Sequence, residues 1–165
     1  MRLNVRRILN TPGESLDFSF SVDCSDICFQ GSYPAAEPLQ VVGTVTNRAG
    51  ALTLSMELST MLHVRCDRCG KAFTKAFTEP FTSLLATELE NEENDDIILL
   101  EEDSLDVEDL ARTLLILGMD TKTLCSEDCQ GLCARCGADL NYGACRCPKE
   151  VDPRLAVLAK LLEKK

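Results

Sequence analysis

The chain of 165 residues is 45% hydrophobic and contains no tryptophan, so it can bury the modest core of one domain, or of one domain with a small appendage. Its formal net charge is -10, but residues 88–109 hold twelve acids and no base, which leaves 15 acids and 17 bases elsewhere. An acidic total does not exclude a nucleic-acid partner, because phosphates respond to the local surface.

The sequence lacks the signs of a membrane or secreted protein. No apolar stretch reaches the length of a membrane span, and no apolar run follows the first seven residues as a targeting segment requires. We therefore expect a cytoplasmic protein with reduced thiols, in which closely spaced cysteines hold metal more often than they form a disulfide framework.

The N-terminal half predicts an antiparallel sheet. Residues 1–9 predict a first strand, which the turn at 11–13 ends. Alternating apolar residues then predict strands over 16–22, 39–46 and 52–64, each with one buried face. The last of these is long for a strand and leads directly into a pair of cysteines.

That cysteine pair, Cys66 and Cys69, predicts the tip of a hairpin. Beyond it, phenylalanines from Phe73 to Phe81 interleave with threonines and a proline, which favours a strand over a helix. His63, the only histidine, lies beside this tip and is the weaker candidate ligand, because two cysteines already flank the turn.

An acidic segment and two helices are predicted next. Residues 88–103 predict a solvated loop, interrupted by the apolar residues 97–100, which can add an edge strand. Ser104 or Asp106 can cap a helix that ends at Gly118. Its apolar stripe, expected to cover the open face of the sheet, consists of Val107, Leu110, Ala111, Leu114, Leu115 and Leu117. A last helix is predicted to begin at Asp152 and Pro153 and to present Leu155, Leu158, Leu161 and Leu162 on one face.

Six of the ten cysteines lie between Leu124 and Cys147, in a segment with too few large apolar residues to bury a core. Cys133 and Cys136 form a C-x2-C-G knuckle, and two further cysteines return after a reversal at 141–143. Four thiolates around one ion make the closed tetrahedral site of structural zinc, which has no open position for a substrate. We therefore expect one or two structural zinc ions.

Eight cysteines suffice for two such sites. The assignment that wastes least chain forms one site from Cys133, Cys136, Cys145 and Cys147, and the other from Cys66, Cys69, Cys125 and Cys129. A rival arrangement pairs the two C-x2-C-G knuckles around one ion, as in zinc ribbons and rubredoxins, and would also suit iron. Cys24 and Cys28 fit neither site and are predicted to be half-buried free thiols.

These patterns predict an α+β protein: an antiparallel sheet or partial barrel packed by one or two helices, with a cysteine-rich zinc-knuckle segment at the C-terminus. Residues 1–118 are expected to form the sheet with its acidic loop and packing helix. Residues 119–165 are expected to form the zinc-binding segment and the C-terminal helix.

Several of these features together resemble the YceD-like family of bacterial proteins. They are Cys66-x2-Cys69-Gly70 at the end of a strand, the long acidic insertion, the Gly131–Gly137 block with Asn141, and the closing Val151–Leu155 segment. The resemblance spans most of residues 41–162. It implies a role in the accumulation or maturation of large-subunit ribosomal RNA, in bacteria and plastids, and it carries over no catalytic residue.

A binding role agrees with the residues themselves. The sequence has no Gly-rich phosphate loop, no Ser-His-Asp set and no paired histidines, so we expect no enzyme activity and no small-molecule substrate. The expected partner is large-subunit ribosomal RNA, a precursor ribosomal particle or a ribosomal protein. Candidate RNA contacts on or near the knuckles are Arg65, Arg68, Lys71, Arg135, Arg146 and Arg154. A rubredoxin-like iron redox protein and a zinc-stabilised protein-protein scaffold are the alternatives.

Overall fold

The structure, a computed structural model, describes residues 1–88 and 97–147. The predicted helix from Asp152 and the centre of the acidic loop lie outside the described residues. The chain divides into two compact units, each described separately below. The first unit is Met1–Arg65 with Ala72–Thr123, and the second is Cys66–Lys71 with the chain from Leu124 onward.

The first unit is mostly sheet with few helices. In chain order its elements are β1 (Arg2–Asn4), α1 (Arg6–Leu9), β2 (Ser15–Val22), β3 (Leu39–Arg48), β4 (Ala51–Arg65), β5 (Ala72–Ala86), β6 (Ile97–Leu99), β7 (Ser104–Asp106) and α2 (Val107–Gly118). Strands β2 to β6 form a five-stranded sheet in sequential order, while β1 and β7 pair in a separate two-stranded sheet. In the second unit, the part of the chain that the structure describes contains the 3-10 turn η1 (Leu140–Tyr142).

The predicted strands from residue 15 to residue 86 are confirmed, including the long hairpin of β4 and β5. Ile97–Leu99 adds the predicted edge strand, but it runs parallel to β5, pairing Leu84 with Ile97. The sheet is therefore mixed, whereas the sequence predicted an antiparallel one. The direction of β6 depends on the path of the connection before it, which local alternation does not reveal.

The predicted strand over residues 1–9 is wrong beyond Asn4. The Asn4 side-chain Oδ1 accepts the backbone N–H of Arg6 at 3.1 Å, and the N–H groups of Ile8 and Leu9 both donate to the Val5 carbonyl at 3.0 Å. This single helical turn buries both Val5 and Ile8 completely. A side-chain hydrogen bond to the local backbone therefore favours a turn at the point where the predicted strand would continue.

Of the two predicted caps for the helix, Asp106 is the one observed. Its Oδ1 accepts the N–H groups of Glu108 at 3.2 Å and Asp109 at 3.3 Å, while Ser104 belongs to β7. The apolar stripe joins the core through its fully buried members, Val107, Ala111 and Leu115. Leu117 was wrongly assigned to the stripe: it is 75% exposed, because two residues beyond Leu115 a helix presents its opposite side.

The core of the first unit lies on one face of the sheet, where alternate residues of β3 and β4 are buried. Gly43 fits this face only because it lacks a side chain: a Cβ there would lie 2.5 Å from Phe18 Cζ and 2.7 Å from Met56 Cβ. Asn47, the buried polar residue of this core, is fully hydrogen-bonded. Its Nδ2 donates to the carbonyls of Ile8 at 2.6 Å and Leu9 at 3.0 Å, tying α1 to β3.

Within residues 1–88 and 97–147, no helix combines the length and apolar character needed to cross a membrane.

Candidate metal centre

Each of the two C-x2-C-G sequences folds into a tight knuckle with the same backbone hydrogen bonds. In the first, the N–H of Gly70 donates to the Cys66 carbonyl at 2.8 Å, and the N–H of Cys66 donates to the Lys71 carbonyl at 2.9 Å. Gly70 has a φ of 70°, in the left-handed region that glycine adopts without strain. The glycine in the motif is therefore required by the turn itself.

The second knuckle repeats this pattern 67 positions later in the sequence. The N–H of Gly137 donates to the Cys133 carbonyl at 2.9 Å, the N–H of Cys133 donates to the Ala138 carbonyl at 2.8 Å, and Gly137 also has a φ of 70°. Two short sequences with the same spacing thus reach the same local geometry, in which both cysteine side chains lie on one side of a turn.

Four sulfur atoms meet at each knuckle. The first cysteine group consists of Cys66, Cys69, Cys125 and Cys129, and the second cysteine group consists of Cys133, Cys136, Cys145 and Cys147. Within each group all sulfur atoms lie within 4.8 Å of one another. The structure thus brings together the same two sets of four that the spacing suggests. The rival arrangement is not observed, because the two knuckles lie in different groups.

The distances between sulfur atoms suit a tetrahedral ion. Cys66 and Cys129 are 3.7 Å apart, Cys69 and Cys125 are 3.6 Å apart, and Cys133 and Cys145 are 3.3 Å apart. Four sulfurs placed about 2.3 Å from one ion lie about 3.8 Å from each other, whereas a disulfide requires about 2.05 Å. All ten cysteines are free thiols. Each group can therefore hold one metal ion.

The electrostatics of each group also call for a cation. Backbone hydrogen bonds, led by that from Cys125, lower the pKa of Cys66 to about 6, and a backbone bond from Cys136 likewise lowers the pKa of Cys133 to about 6. Burial raises the pKa of Cys125 to about 12, and the shared hydrogen bond with Cys136 raises that of Cys147 to about 12. Within each group one cysteine therefore ionises readily, and the negative charge of its thiolate opposes the ionisation of a second cysteine. A divalent ion offsets that repulsion.

Cysteines also supply most of what the second unit buries. Among its described residues the buried side chains are those of Cys66, Cys69 and Cys129, while Leu132 is 46% exposed and Tyr142 is 86% exposed. The first group is the more enclosed of the two, because Cys136 of the second group is exposed and its other members are half-buried. The described residues of the second unit therefore form no apolar core that would hold them folded without metal.

The remaining sequence candidates lie elsewhere. His63 belongs to neither cysteine group among the described residues, and its Nε2 lies 3.5 Å from Glu37 Oε1. Cys24 is fully buried and Cys28 is exposed, and neither belongs to a cysteine group. The sequence had predicted both as half-buried, but they differ because Cys24 belongs to the core and Cys28 does not.

Five of the six candidate RNA contacts are described, and all five are exposed. Arg65 ends β4, Arg68 and Lys71 belong to the first knuckle, Arg135 belongs to the second, and Arg146 lies between the last two cysteines. Arg154 lies outside the described residues. The Arg68 guanidinium donates to the Cys129 carbonyl at 2.7 Å, so this side chain supports the first cysteine group.

The structure shows residues that support the first cysteine group and that the sequence did not assign to it. Asn141 appeared in the sequence as a turn residue and as part of the family resemblance, yet its Nδ2 donates to the Cys129 sulfur at 3.5 Å and its Oδ1 accepts the N–H of Gln130 at 2.7 Å. Gly131 has a φ of 73°, and a Cβ there would lie 3.0 Å from the Arg68 carbonyl oxygen. The Asn-x-Gly turn was the available signal for Asn141, but spacing cannot reveal which sulfur it contacts.

The fold and this site define a sheet protein that carries a separate unit with two four-cysteine groups, each able to hold a metal ion. The chain belongs to the family described as "Large ribosomal RNA subunit accumulation protein YceD", which matches residues 54–162, about two thirds of its length. The resemblance identified from the knuckles is thereby confirmed. Both cysteine groups lie within the matched residues.

A relative in a plant is consistent with this membership. The chain is 26% identical over 148 residues to "Large ribosomal RNA subunit accumulation protein YCED homolog 1, chloroplastic" from Arabidopsis thaliana. The match covers 72% of this chain and 46% of that protein, so the chain spans about half the length of this relative. No solved structure matches the chain.

Proposed function

We propose that this protein is a non-enzymatic bacterial factor, acting in the cytoplasm, that promotes the accumulation of large-subunit ribosomal RNA by binding the assembling large subunit. Family membership carries this proposal, because the family's description and the relative's name both refer to that process. A binding role also agrees with the site: an ion held by four thiolates has no open position for a substrate.

We further propose that each cysteine group holds one structural zinc ion. Thiolates are soft ligands, and a closed site of four sulfurs in tetrahedral geometry suits zinc, which needs no further ligand. The reduced thiols of such sites agree with a cytoplasmic protein. When bound, the ion supplies folding energy to a unit whose described residues bury little besides cysteine.

The charge of the described residues favours a basic ribosomal protein as the direct contact. The first unit has fifteen acids against eight bases in these residues, and the second unit has four of each. The four acids of the second unit are Asp67, Glu127, Asp128 and Asp139. Two zinc ions with eight thiolates would make that unit more negative still. A basic partner is attracted to such surfaces, whereas an RNA backbone is repelled except at local bases.

The cellular role is tested by removing the gene and measuring the ratio of large-subunit to small-subunit ribosomal RNA. We expect this ratio to fall, and to recover when the intact protein is supplied from a plasmid. An unchanged ratio in growing cells would contradict the proposed function.

The contact is tested by sedimentation of the protein with large-subunit particles and precursors. A variant with Arg65, Lys71, Arg135 and Arg146 replaced by alanine removes the exposed candidate bases and retains Arg68, which supports the first cysteine group. The matched control replaces Arg6, Arg7, Arg48 and Lys122, four exposed bases of the first unit, and changes the net charge equally. We expect both variants to sediment with the particles.

Selective loss of sedimentation in the first variant would instead show direct RNA contact. Co-purification of a ribosomal protein that persists after RNase treatment would support the protein contact, and capture of non-ribosomal proteins alone would favour a general scaffold. Metal analysis of the purified protein separates zinc from iron, because four thiolates around ferric iron absorb visible light and zinc does not.

A further inference from the structure

One side chain of the second unit joins the two cysteine groups. Asn141 lies in η1, in the segment between Cys136 and Cys145 that an ion in the second cysteine group would close into a loop. Its Nδ2 nevertheless donates to the sulfur of Cys129, at 3.5 Å, which belongs to the first cysteine group. Asn141 thus lies between two members of the second cysteine group in the chain and is hydrogen-bonded to a member of the first.

The position of Asn141 is set from both sides. The Asp139 carboxylate accepts the backbone N–H of Asn141 at 2.9 Å and its Nδ2 at 2.6 Å, which fixes the turn in the segment between Cys136 and Cys145. The Asn141 Oδ1 accepts the N–H of Gln130 at 2.7 Å, so the amide is aligned with the residue after Cys129. In this orientation the Nδ2 donor of Asn141 faces the sulfur of Cys129.

The backbone reinforces this link. The N–H of Leu132 donates to the Arg68 carbonyl at 3.2 Å, and the N–H of Leu140 donates to the Gly131 carbonyl at 2.8 Å. The segment that enters the second cysteine group is therefore paired with the first knuckle on one side and with the Asn141 turn on the other. Ordering either group restricts the conformations open to the other.

We propose that Asn141 is a positioning residue that couples metal binding at the two cysteine groups, so that an ion in either one raises the affinity of the other. The inference rests on the metal binding proposed above and goes beyond it. With an ion bound by the second cysteine group, the segment between Cys136 and Cys145 would be held as a closed loop that presents the Asn141 amide to Cys129. The N–H···S bond then stabilises the thiolate that holds the ion of the first group. The coupling is reciprocal by thermodynamic necessity.

The coupling is measured by titrating the metal-free full-length chain with Co²⁺ under reducing conditions and following the thiolate-to-cobalt absorption. We expect the intact chain to bind its two ions cooperatively. Replacing Asn141 by alanine lowers the overall affinity for the pair about tenfold, within the usual range for coupled sites, and removes the cooperativity. Tyr142→Ala, in the same turn and 86% exposed, is the matched control and retains both.

A chain with Cys133→Ser and Cys136→Ser isolates the first cysteine group. In that chain Asn141→Ala should leave the Co²⁺ affinity of the first group unchanged, because the loop that presents the amide no longer closes. An equal loss of affinity in both chains would overturn the proposal, since Asn141 would then support the first group alone. Unchanged affinity and cooperativity in the intact Asn141→Ala chain would overturn it as well.

Cadmium NMR gives a readout that does not depend on affinity. The chain loaded with two ¹¹³Cd²⁺ ions should show two resonances. The resonance of the first cysteine group is the one that Cys66→Ser abolishes. Asn141→Ala should shift that resonance, whereas Tyr142→Ala should shift neither. Two unshifted resonances in the Asn141→Ala chain would contradict the proposal. If the chain takes up no metal, the proposal that the cysteine groups bind metal is wrong. If the chain binds two ions independently, only the proposed coupling between the groups is wrong.

Discussion

The sulfur atoms of Cys66 and Cys129 lie 3.7 Å apart although the residues are 63 positions apart in the chain. This contact joins the hairpin tip to the cysteine-rich segment, and both residues are nearly fully buried. Cysteines account for the buried side chains among the described residues of the second unit, so the folding of these residues should depend on what the sulfurs bind. The first unit, by contrast, has its own apolar core.

Metal removal should therefore unfold the second unit and spare the first. After treatment with a strong chelator at neutral pH, we expect protease cleavage within 124–147 to accelerate. Without metal, the cysteine groups lose the folding free energy that metal binding supplies. The β-sheet signal in circular dichroism should change little, since the strands of residues 1–88 and 97–147 belong to the first unit. Restored zinc should restore protection.

The outcome that would contradict this prediction is equal protection of residues 124–147 with and without metal. Loss of the sheet signal together with protection would also contradict it, because the apolar core of the first unit should persist alone.

Single cysteine substitutions should remove one ion each. We expect the protein to bind one ion per cysteine group, and Cys66→Ser or Cys133→Ser to reduce the content from two ions to one. Native mass spectrometry counts the ions directly. Cys28→Ser is the matched control, because Cys28 is exposed and belongs to neither cysteine group, and it should retain both ions.

Replacing Asn47 by alanine should destabilise the first unit by about 2–4 kcal/mol, because buried polar groups lose their partners. The Asn47 side chain donates to the carbonyls of Ile8 at 2.6 Å and Leu9 at 3.0 Å, and it accepts the N–H of Gly50 at 2.9 Å. Alanine would leave these three groups without this hydrogen-bond partner. Denaturant unfolding measures the change. Asn10→Ala, at an exposed position, should change stability little.

Replacing Gly43 by alanine should cost about 1–3 kcal/mol through overpacking. The added methyl would meet Phe18 Cζ at 2.5 Å and the Ser55 carbonyl oxygen at 2.9 Å, and the second of these is backbone that cannot rotate away. For the same reason Phe18→Leu should restore only part of the loss. Val42→Ala, at a neighbouring position that is 58% exposed, is the control and should be nearly neutral in thermal unfolding.

Asp106 should contribute a stability that depends on pH. Backbone N–H groups, first that of Asp109, hold the pKa of its carboxyl below the ordinary value of 3.8. A depressed acid pKa means that the contribution is present above pH 3.8 and is lost as pH falls through the lower, folded-state pKa. We therefore expect Asp106→Ala to lower the melting temperature of the first unit at pH 7. The difference in melting temperature between the variant and the intact protein should shrink as the pH is lowered.

The control for this prediction is Asp109→Ala, which removes an exposed charge from the same helical turn and retains the cap. A melting-temperature difference for Asp106→Ala that persists unchanged at acidic pH would show that the carboxylate does not carry the effect.

Local pattern and spacing determined much of this protein. Alternation in β2 to β5 predicted which residues face the core, because a strand side chain can point only to one face or the other. The C-x2-C-G spacing predicted both knuckles, because a glycine with positive φ lets the chain turn back within a few residues. Both rules depend on short-range steric effects, so their consequences can be predicted from a single sequence.

Only the tertiary structure decided which distant cysteines complete each knuckle, since spacing alone also allowed the two knuckles to meet. It likewise decided that β6 runs parallel to β5, that Asn47 is hydrogen-bonded to the helical turn at residues 6–9, and that Asn141 reaches the sulfur of Cys129. Each of these relationships joins residues at least 12 positions apart in the chain. Their free energy depends on how the intervening segments pack, which no local pattern contains.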